Sequence, residues 1–343
     1  MTTELPSGRA ASMRDVARLA GVSHQTVSRV LNGHSSIRES TRERVLQAMN
    51  DLRYRPNRAA RALVTARSST IGVLSASAAA LYGPVSSIGA IQDAAREVGY
   101  FVTVAHLASL DAEGIAAAID HLLAQAVEGI VVIAPADKVL DEIEAIGVGV
   151  PYVTMQGGRD HSENELSVDQ VAGARAATRH LIDLGHRRVA HLAGPTDWIE
   201  ASARLSGFES EIRGAGLEVL PAPVGDWTAG FGYRAGLEVL VDPTVTAVFA
   251  SNDQTALGLY HAAHETWRSI PHDLSVVGFD DIPEAAHFWP PLTTVRQDFT
   301  ELGRRSVARL IAEIRGAAEP TPGNILPELV VRASTGPVPR AYR

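Results

Sequence analysis

Cysteine is absent from the 343 residues, and lysine occurs once, at Lys138. Disulfides and thiolate-held metals are therefore excluded. The lone lysine belongs to no G-x-x-x-x-G-K-[ST] loop, so the chain has no P-loop to cradle a nucleotide's phosphates. No G-x-G-x-x-G follows a candidate strand, no G-x-S-x-G elbow occurs, and His264-Glu265 is not followed by the second histidine of H-E-x-x-H. Any run of about 18 apolar residues is also missing, and Met1 to Ala11 hold no hydrophobic signal segment. The chain is expected to be cytoplasmic, without a membrane partner, and these gaps argue against an enzyme.

What is present is an apolar fraction of 45%, enough for more than one core in a chain this long. The net charge of −8 is unevenly spread. Residues 1 to 67 hold twelve arginines and five acids, a balance of +7 that leaves −15 for the remainder. An acidic body repels nucleic acid, so a basic N-terminal segment has to supply both attraction and orientation.

That segment has the pattern of a helix-turn-helix. Val16, Leu19 and Ala20 are spaced to line one face of a first helix, Gly21 permits a tight turn, and Ser23 can cap a second helix whose Val27, Val30 and Leu31 face the first. His24, Gln25, Ser28 and Arg29 are left outside. Gln bonds adenine and Arg bonds guanine in bidentate fashion, and His and Ser reach bases or phosphates, so this face suits a major groove. Ser40 can cap a third helix from about Thr41 to Leu52, with Glu43 at the capping-box position and Val45, Leu46 and Met49 inside. Pro56 breaks that pattern, and Asn57 can start a short helix from Arg58 to Val64, which is marginal alone.

The runs DVARLAGVSHQTVSRVLN and STRERVLQAMNDLRYRPNRAARAL, with their spacing, resemble the DNA-binding headpiece of the lactose/galactose repressor family. The resemblance implies that His24, Gln25 and Arg29 read bases, that Ser23, Thr26 and Asn32 mainly touch the DNA backbone, and that the segment opening at Asn57 is a hinge helix. Such a helix orders on operator DNA beside its dimer mate and pushes Leu63 into the minor groove, kinking the duplex. The implied partners are double-stranded operator DNA, a second copy of the chain and a small-molecule effector.

From Ile71 onward, short apolar runs alternate with amphipathic stretches. Strands are expected at Ile71–Leu74, Phe101–Ala105, Gly129–Ala134, Tyr152–Met155, Arg188–Ala193, Ala247–Ser251 and Leu274–Phe279. Helices are expected at Ser86–Val98, Ala112–Ala126, Gln170–Leu184, Ala203–Ala215, Thr255–Thr266 and Phe299–Arg315. The alternation predicts parallel sheets covered on both faces, in two doubly wound subdomains with ligand at the carboxyl ends of their strands. The resemblance continues through Leu181–Gly194, Ser251–Gln254, Val276–Asp281 and Pro290–Phe299, and implies a periplasmic-binding-protein-like body with crossovers near 168, 297 and 325. The expected organisation is a mobile tail at 1–12, a helix-turn-helix headpiece at 13–54, a hinge helix and linker at 55–69, and a body at 70–343. Within the body the N-subdomain takes about 70–167 and 298–324, and the C-subdomain about 168–297 and 325–343. The expected fold is thus a small all-α headpiece followed by an α/β body of two parallel-sheet subdomains.

Asn252 and Asp280 stand directly after candidate strands. An Asp that accepts two hydroxyl protons and an Asn that donates and accepts can bind a diol, although both also suit a helix cap or a turn. By position, the resemblance adds Arg204, Trp227, Gln297 and Phe299 to an effector site, with Leu81, Tyr82, Gly83 and Pro84 as an apolar wall. The Asp-Trp, Asn-Asp-Gln and Asp-Asp segments lie nearest the branch of the family that answers to lactose. Two positions depart from that branch: Gln156 stands where it has a sugar-contacting aspartate, and Glu200 where it has a serine. The expected effector is a neutral mono- or disaccharide, a β-galactoside first, acting as inducer, with a corepressor or a non-sugar ligand as the alternative.

A sugar-processing enzyme carrying a headpiece is the rival from another class, but Asp280 and Asp281 are adjacent and on an extended strand would point apart instead of flanking one bond. His261 and His264 lie three apart on a helix without a third ligand, so no metal and no cofactor is expected. A sugar sensor without a role in transcription would leave the headpiece unexplained. Beyond the strand-like Ile325–Arg332, two prolines and a glycine in eleven residues forbid a terminal helix of the kind that joins dimers in the lactose branch, so a dimer is expected.

Overall fold

The computed structural model describes residues 11–31, 34, 36–55, 62, 67–75, 81–107, 109–133, 137–155, 165–317 and 323–339. Asn32, Asn57, Leu63 and Gln156, together with the expected hinge helix, lie outside the described residues. The chain divides into two units, Met1–Ser68 and Ser69–Arg343.

In the first unit, α1 (Met13–Ala20), α2 (His24–Leu31) and α3 (Glu39–Asp51) enclose Val16, Ala17, Ala20, Val27, Val30, Val45 and Ala48. Ser12 and Asp15 form a capping box that fixes the start of α1. Gly21 ends it at φ 65°, in the left-handed region that glycine enters without strain. Two expected core residues are outside: Leu19 is 51% and Leu46 50% exposed. The buried face of α1 is set by Val16, Ala17 and Ala20, which turns Leu19 outward. α3 begins at Glu39 behind Arg38, which makes no side-chain cap, so Ser40 lies within the helix, and its inward positions are Val45 and Ala48 with Met49 half-buried.

The second unit holds two sheets. The first is built from β1 (Thr70–Ser75), β2 (Phe101–His106), β3 (Ile130–Ile133), β4 (Tyr152–Met155) and β5 (Glu165–Leu166), in the order β2-β1-β3-β4-β5 and all parallel. The second is built from β6 (Val189–Leu192), β7 (Ala247–Ala250), β8 (Ser275–Asp280) and β9 (Thr293–Arg296), with β10 (Glu328–Val330) antiparallel on β9. Alternate residues of each strand serve opposite cores. Val73 and Val131 pack with α4 (Tyr82–Glu97) and α11 (Phe299–Ile314), whereas Leu74 and Val132 pack with α5 (Ala112–Ala124) and α6 (Asp137–Ile146). In the second sheet Phe249 and Phe279 face α7 (Gln170–Asp183) and α8 (Ile199–Gly214), while Val248 and Val276 face α9 (Ala229–Val239) and α10 (Asp253–Glu265). Apolar residues on both faces give the unbroken runs seen in the sequence.

The chain passes between the sheets three times. β5 closes the first sheet just before α7 packs on the second, α11 follows β9 and returns to α4, and β10 goes back to β9. α9 is a helix the sequence pattern does not announce, because AGFGYRAGLEV is rich in glycine. Those glycines permit close packing: a Cβ on Gly232 would stand 2.1 Å from the Thr255 carbonyl oxygen, and one on Gly236 2.8 Å from the Ala262 Cβ.

Candidate DNA interface and effector cleft

The outer face of α2 presents His24, Gln25 and Arg29 to solvent, with Ser28 and Thr26 half-buried. Ser23 is engaged at the helix start, its Oγ accepting the Thr26 N–H at 3.1 Å and lying 2.9 Å from the Thr26 hydroxyl. The helix N-terminus and its long polar side chains therefore form one exposed edge of the kind that enters a major groove. Arg42 is partly tied down within the headpiece, donating to the His34 carbonyl at 3.2 Å.

In the body a cavity lies between the two sheets. Leu81, Tyr82, Gly83 and Pro84, from the start of α4, form one wall. Trp198, Glu200, Arg204, Trp227, Asn252, Asp280 and Gln297 form the other. The polar residues arrive from consecutive strand ends: α8 follows β6, Asn252 follows β7, Asp280 ends β8 and Gln297 follows β9.

At the base of the cavity four side chains close a ring. Arg204 Nε donates to Gln170 Oε1 at 2.9 Å, Gln170 Nε2 to Gln297 Oε1 at 2.7 Å, and Gln297 Nε2 to Asp280 Oδ1 at 2.6 Å. Asp280 Oδ1 lies 3.6 Å from Arg204 Nη2, which completes the circuit. The Arg204 guanidinium also donates to the Ser251 carbonyl and lies 3.9 Å above the Phe279 ring centroid and 5.3 Å from that of Trp227. Burial lowers the Arg204 pKa, opposed by Asp280, Glu200 and Asp253, and raises that of Asp280, opposed by Arg204 and Gln297. Asp280 and Asp281 both have positive φ, 107° and 53°, a strained backbone that aims the two carboxylates apart. Asp281 bonds Arg296 at 2.7 Å and Arg332 at 2.6 Å, away from the cavity's ring.

Trp227 is 6% exposed and its buried Nε1–H has no hydrogen-bond partner among the described residues. The indole is held against Gly194, where a Cβ would come 2.4 Å from Cη2, and meets Trp198 edge to face at 5.6 Å. Asn252 lines the cavity but spends its amide locally: Oδ1 caps α10 through the Thr255 N–H at 2.8 Å and Nδ2 donates to the Trp227 carbonyl at 3.0 Å. It therefore fixes Trp227 from its place on the cavity wall. Phe299 is not on this wall. It is buried in the core of the first sheet, edge to face with Tyr82 at 5.9 Å, and borders a second cavity lined also by Gln297 and Arg296.

Residues 12–57 match the family model of bacterial regulatory proteins, lacI family, and residues 178–335 match that of a periplasmic binding protein-like domain. The lactose operon repressor of Escherichia coli (strain K12) is 37% identical over 327 residues, covering 94% of this chain and 90% of that one. The chain belongs to the lacI family. Among solved structures, a lac repressor dimer bound to operator and the anti-inducer ONPF aligns with a TM-score of 0.84 at 35% identity, over 96% of this chain and all of that one. The complex of the transcriptional regulator CelR with cellobiose aligns with a TM-score of 0.71 at 31% identity, over 94% of this chain and 99% of that one.

Sequence reasoning passed over Gln170, Asp253 and Trp198. Gln170 opens α7 far from any candidate strand end, and only the folded chain brings it between Arg204 and Gln297. Asp253 is fully buried and holds the turn after Asp280 by accepting from Ile282 N–H at 2.9 Å and Thr294 Oγ1 at 2.6 Å. The sequence carried no signal for this, since an acid inside Asn-Asp-Gln at a helix start would ordinarily face solvent. His261 pairs with Glu265 at 3.3 Å and stacks on Tyr233, and no group of metal-binding side chains occurs among the described residues.

Proposed function

We propose that this lacI-family regulator is a repressor whose hold on operator DNA is set by a neutral saccharide bound in the cleft. The observation that carries the reading is the Arg204–Asp280 pair beside Trp227: a fixed donor–acceptor ring next to an aromatic wall is the complement of a sugar, which has paired hydroxyls and an apolar face. Among structures of similar fold, a lac repressor dimer is bound to operator and the anti-inducer ONPF and CelR is in complex with cellobiose, and a β-galactoside or another disaccharide is the first candidate here. His24, Gln25 and Arg29 read base edges, Ser28 beside them reaches a base or a phosphate, and Ser23 and Thr26 touch the DNA backbone. Asn32, Asn57 and Leu63 extend that contact toward the hinge, and Gln156 the effector contacts.

The working form is a dimer in the cytoplasm, one headpiece to each half of a pseudo-palindromic operator. Exposed apolar side chains support pairing of the bodies: Phe101, 50% exposed on the edge strand β2, and Trp289, 93% exposed after β8. Effector and operator must oppose each other by equal factors, because linkage is reciprocal. Calorimetry with a saccharide panel, with and without operator, tests this: weaker sugar binding on operator is expected, and tighter binding would make the ligand a corepressor.

A further inference from the structure

Two side chains of the cleft, Trp198 and Glu200, stand at the start of α8 and have no part in the ring around Arg204. Glu200 is 4% exposed and one helical turn before Arg204. The Arg204 guanidinium is already committed to Gln170, Ser251 and Asp280, and the Glu200 carboxyl instead accepts from its own backbone N–H. The charges that bear on it are Arg204 from its own helix and Asp280 from β8, with Asp253 of α10 behind Asp280 and His191 of β6 beyond Arg204. Burial holds His191 neutral, down to about 4, so it adds no positive charge at working pH. The cavity thus holds two carboxyl groups against one guanidinium, which has no spare positive charge for an anion.

We propose that Glu200 is a specificity-determining contact that, in its acid form, donates to and accepts from neighbouring hydroxyls of an uncharged saccharide, and that it turns away phosphorylated and acidic sugars. Trp198 and Trp227, at 65° to each other, supply the apolar corner against which that ligand packs. A carboxylic acid has both a donor and an acceptor, as a diol requires, whereas the carboxylate only accepts. Burial supports the acid form, pushing Glu200 up to about 7, with Asp280 adding to the rise and Arg204 opposing it. Because only the protonated fraction is competent, affinity should fall about tenfold from pH 6 to pH 8.

This inference rests on the saccharide reading above, and calorimetry on the full chain separates the two. Lactose, cellobiose and lactose phosphate are titrated at pH 6 and pH 8 into the parent protein, Glu200→Gln and Glu200→Ser, with melting curves confirming that each is folded. The expected result is a neutral disaccharide that binds the parent about tenfold more weakly at pH 8, no detectable lactose phosphate binding, and a flat pH profile in both variants, with Glu200→Gln the tighter. A parent-like pH slope in Glu200→Gln, or lactose phosphate binding as tightly as lactose, overturns the role of Glu200 while leaving a saccharide effector standing. If neither neutral disaccharide binds the parent at either pH, both readings fall.

Discussion

Gln170 and Gln297 face each other through a 2.7 Å hydrogen bond, although 127 residues separate them. One opens α7 after the first crossover and the other precedes α11 at the second, so this bond ties together two of the chain's passages between sheets at the floor of the cleft. Each glutamine uses both ends of its amide: Gln170 accepts from Arg204, and Gln297 donates to Asp280.

Replacing Gln297 with leucine keeps the volume and removes two bonds, leaving the Gln170 amide and the Asp280 carboxylate short of partners. A loss of about 3 kcal/mol is expected from the cost of unpaired buried groups, read as a lowered midpoint in urea denaturation. A midpoint within experimental scatter of the parent's would mean that the ring is ornamental to the fold.

Gly194→Ala should disable the cleft without touching its polar residues. The new methyl would fall 2.4 Å from Trp227 Cη2, so the indole has to move. Saccharide affinity is expected to drop at least about tenfold, near 1.4 kcal/mol, with a changed tryptophan emission spectrum and undiminished operator binding in the absence of sugar. Parent-like affinity would place the sugar elsewhere.

His191 makes stability pH-dependent. It stacks on both Phe208 and Phe249, at 5.0 and 4.8 Å, its Nδ1 lies 2.9 Å from the Phe249 carbonyl, and burial depresses its pKa from 6.5 to about 4. The unfolded chain takes up the proton first, so the stability is whole above pH 6.5 and is lost as pH falls toward 4, by about 3 kcal/mol. His191→Phe should lose correspondingly less between pH 7 and pH 4 in denaturant titrations. An identical loss in both proteins would exclude the histidine as the cause.

The headpiece prediction separates reading from attraction. Arg29 is exposed on α2, and Arg29→Ala should cost about 1–3 kcal/mol on the preferred site and relax selectivity at one base position. Arg42→Ala should weaken all sequences alike, since its guanidinium already bonds the His34 carbonyl and it sits off the reading helix. Binding-site selection from a random pool, run on both variants, distinguishes the two, and an unaltered preference in Arg29→Ala would remove its base-reading role.

Much of this was legible in the chain itself. The seven expected strands all fall within one or two residues of β1–β4 and β6–β8, because strands buried on both faces leave uninterrupted apolar runs. α9 was not legible, since its glycines signal a loop to local propensity and serve contact with α10 only in the fold. Leu19 and Leu46 were misplaced for a related reason: a helix of two or three turns offers several apolar arcs, and its neighbours choose among them. In the cleft, Asn252 and Asp280 were recognisable from their strand-end positions. Gln170 and Asp253 were not, because nothing in a linear sequence distinguishes a glutamine or aspartate that folding will bury from one left in water.

The central claim is that a saccharide in the cleft controls the grip on DNA. Fluorescence anisotropy with a labelled operator, chosen by selection from a random pool, tests it most directly, by titrating the full chain with and without the neutral disaccharide that calorimetry identifies. The account predicts an operator Kd at least about tenfold higher with saturating sugar, and the same ratio for sugar affinity on and off the operator. Operator binding that stays the same at saturating sugar would contradict it.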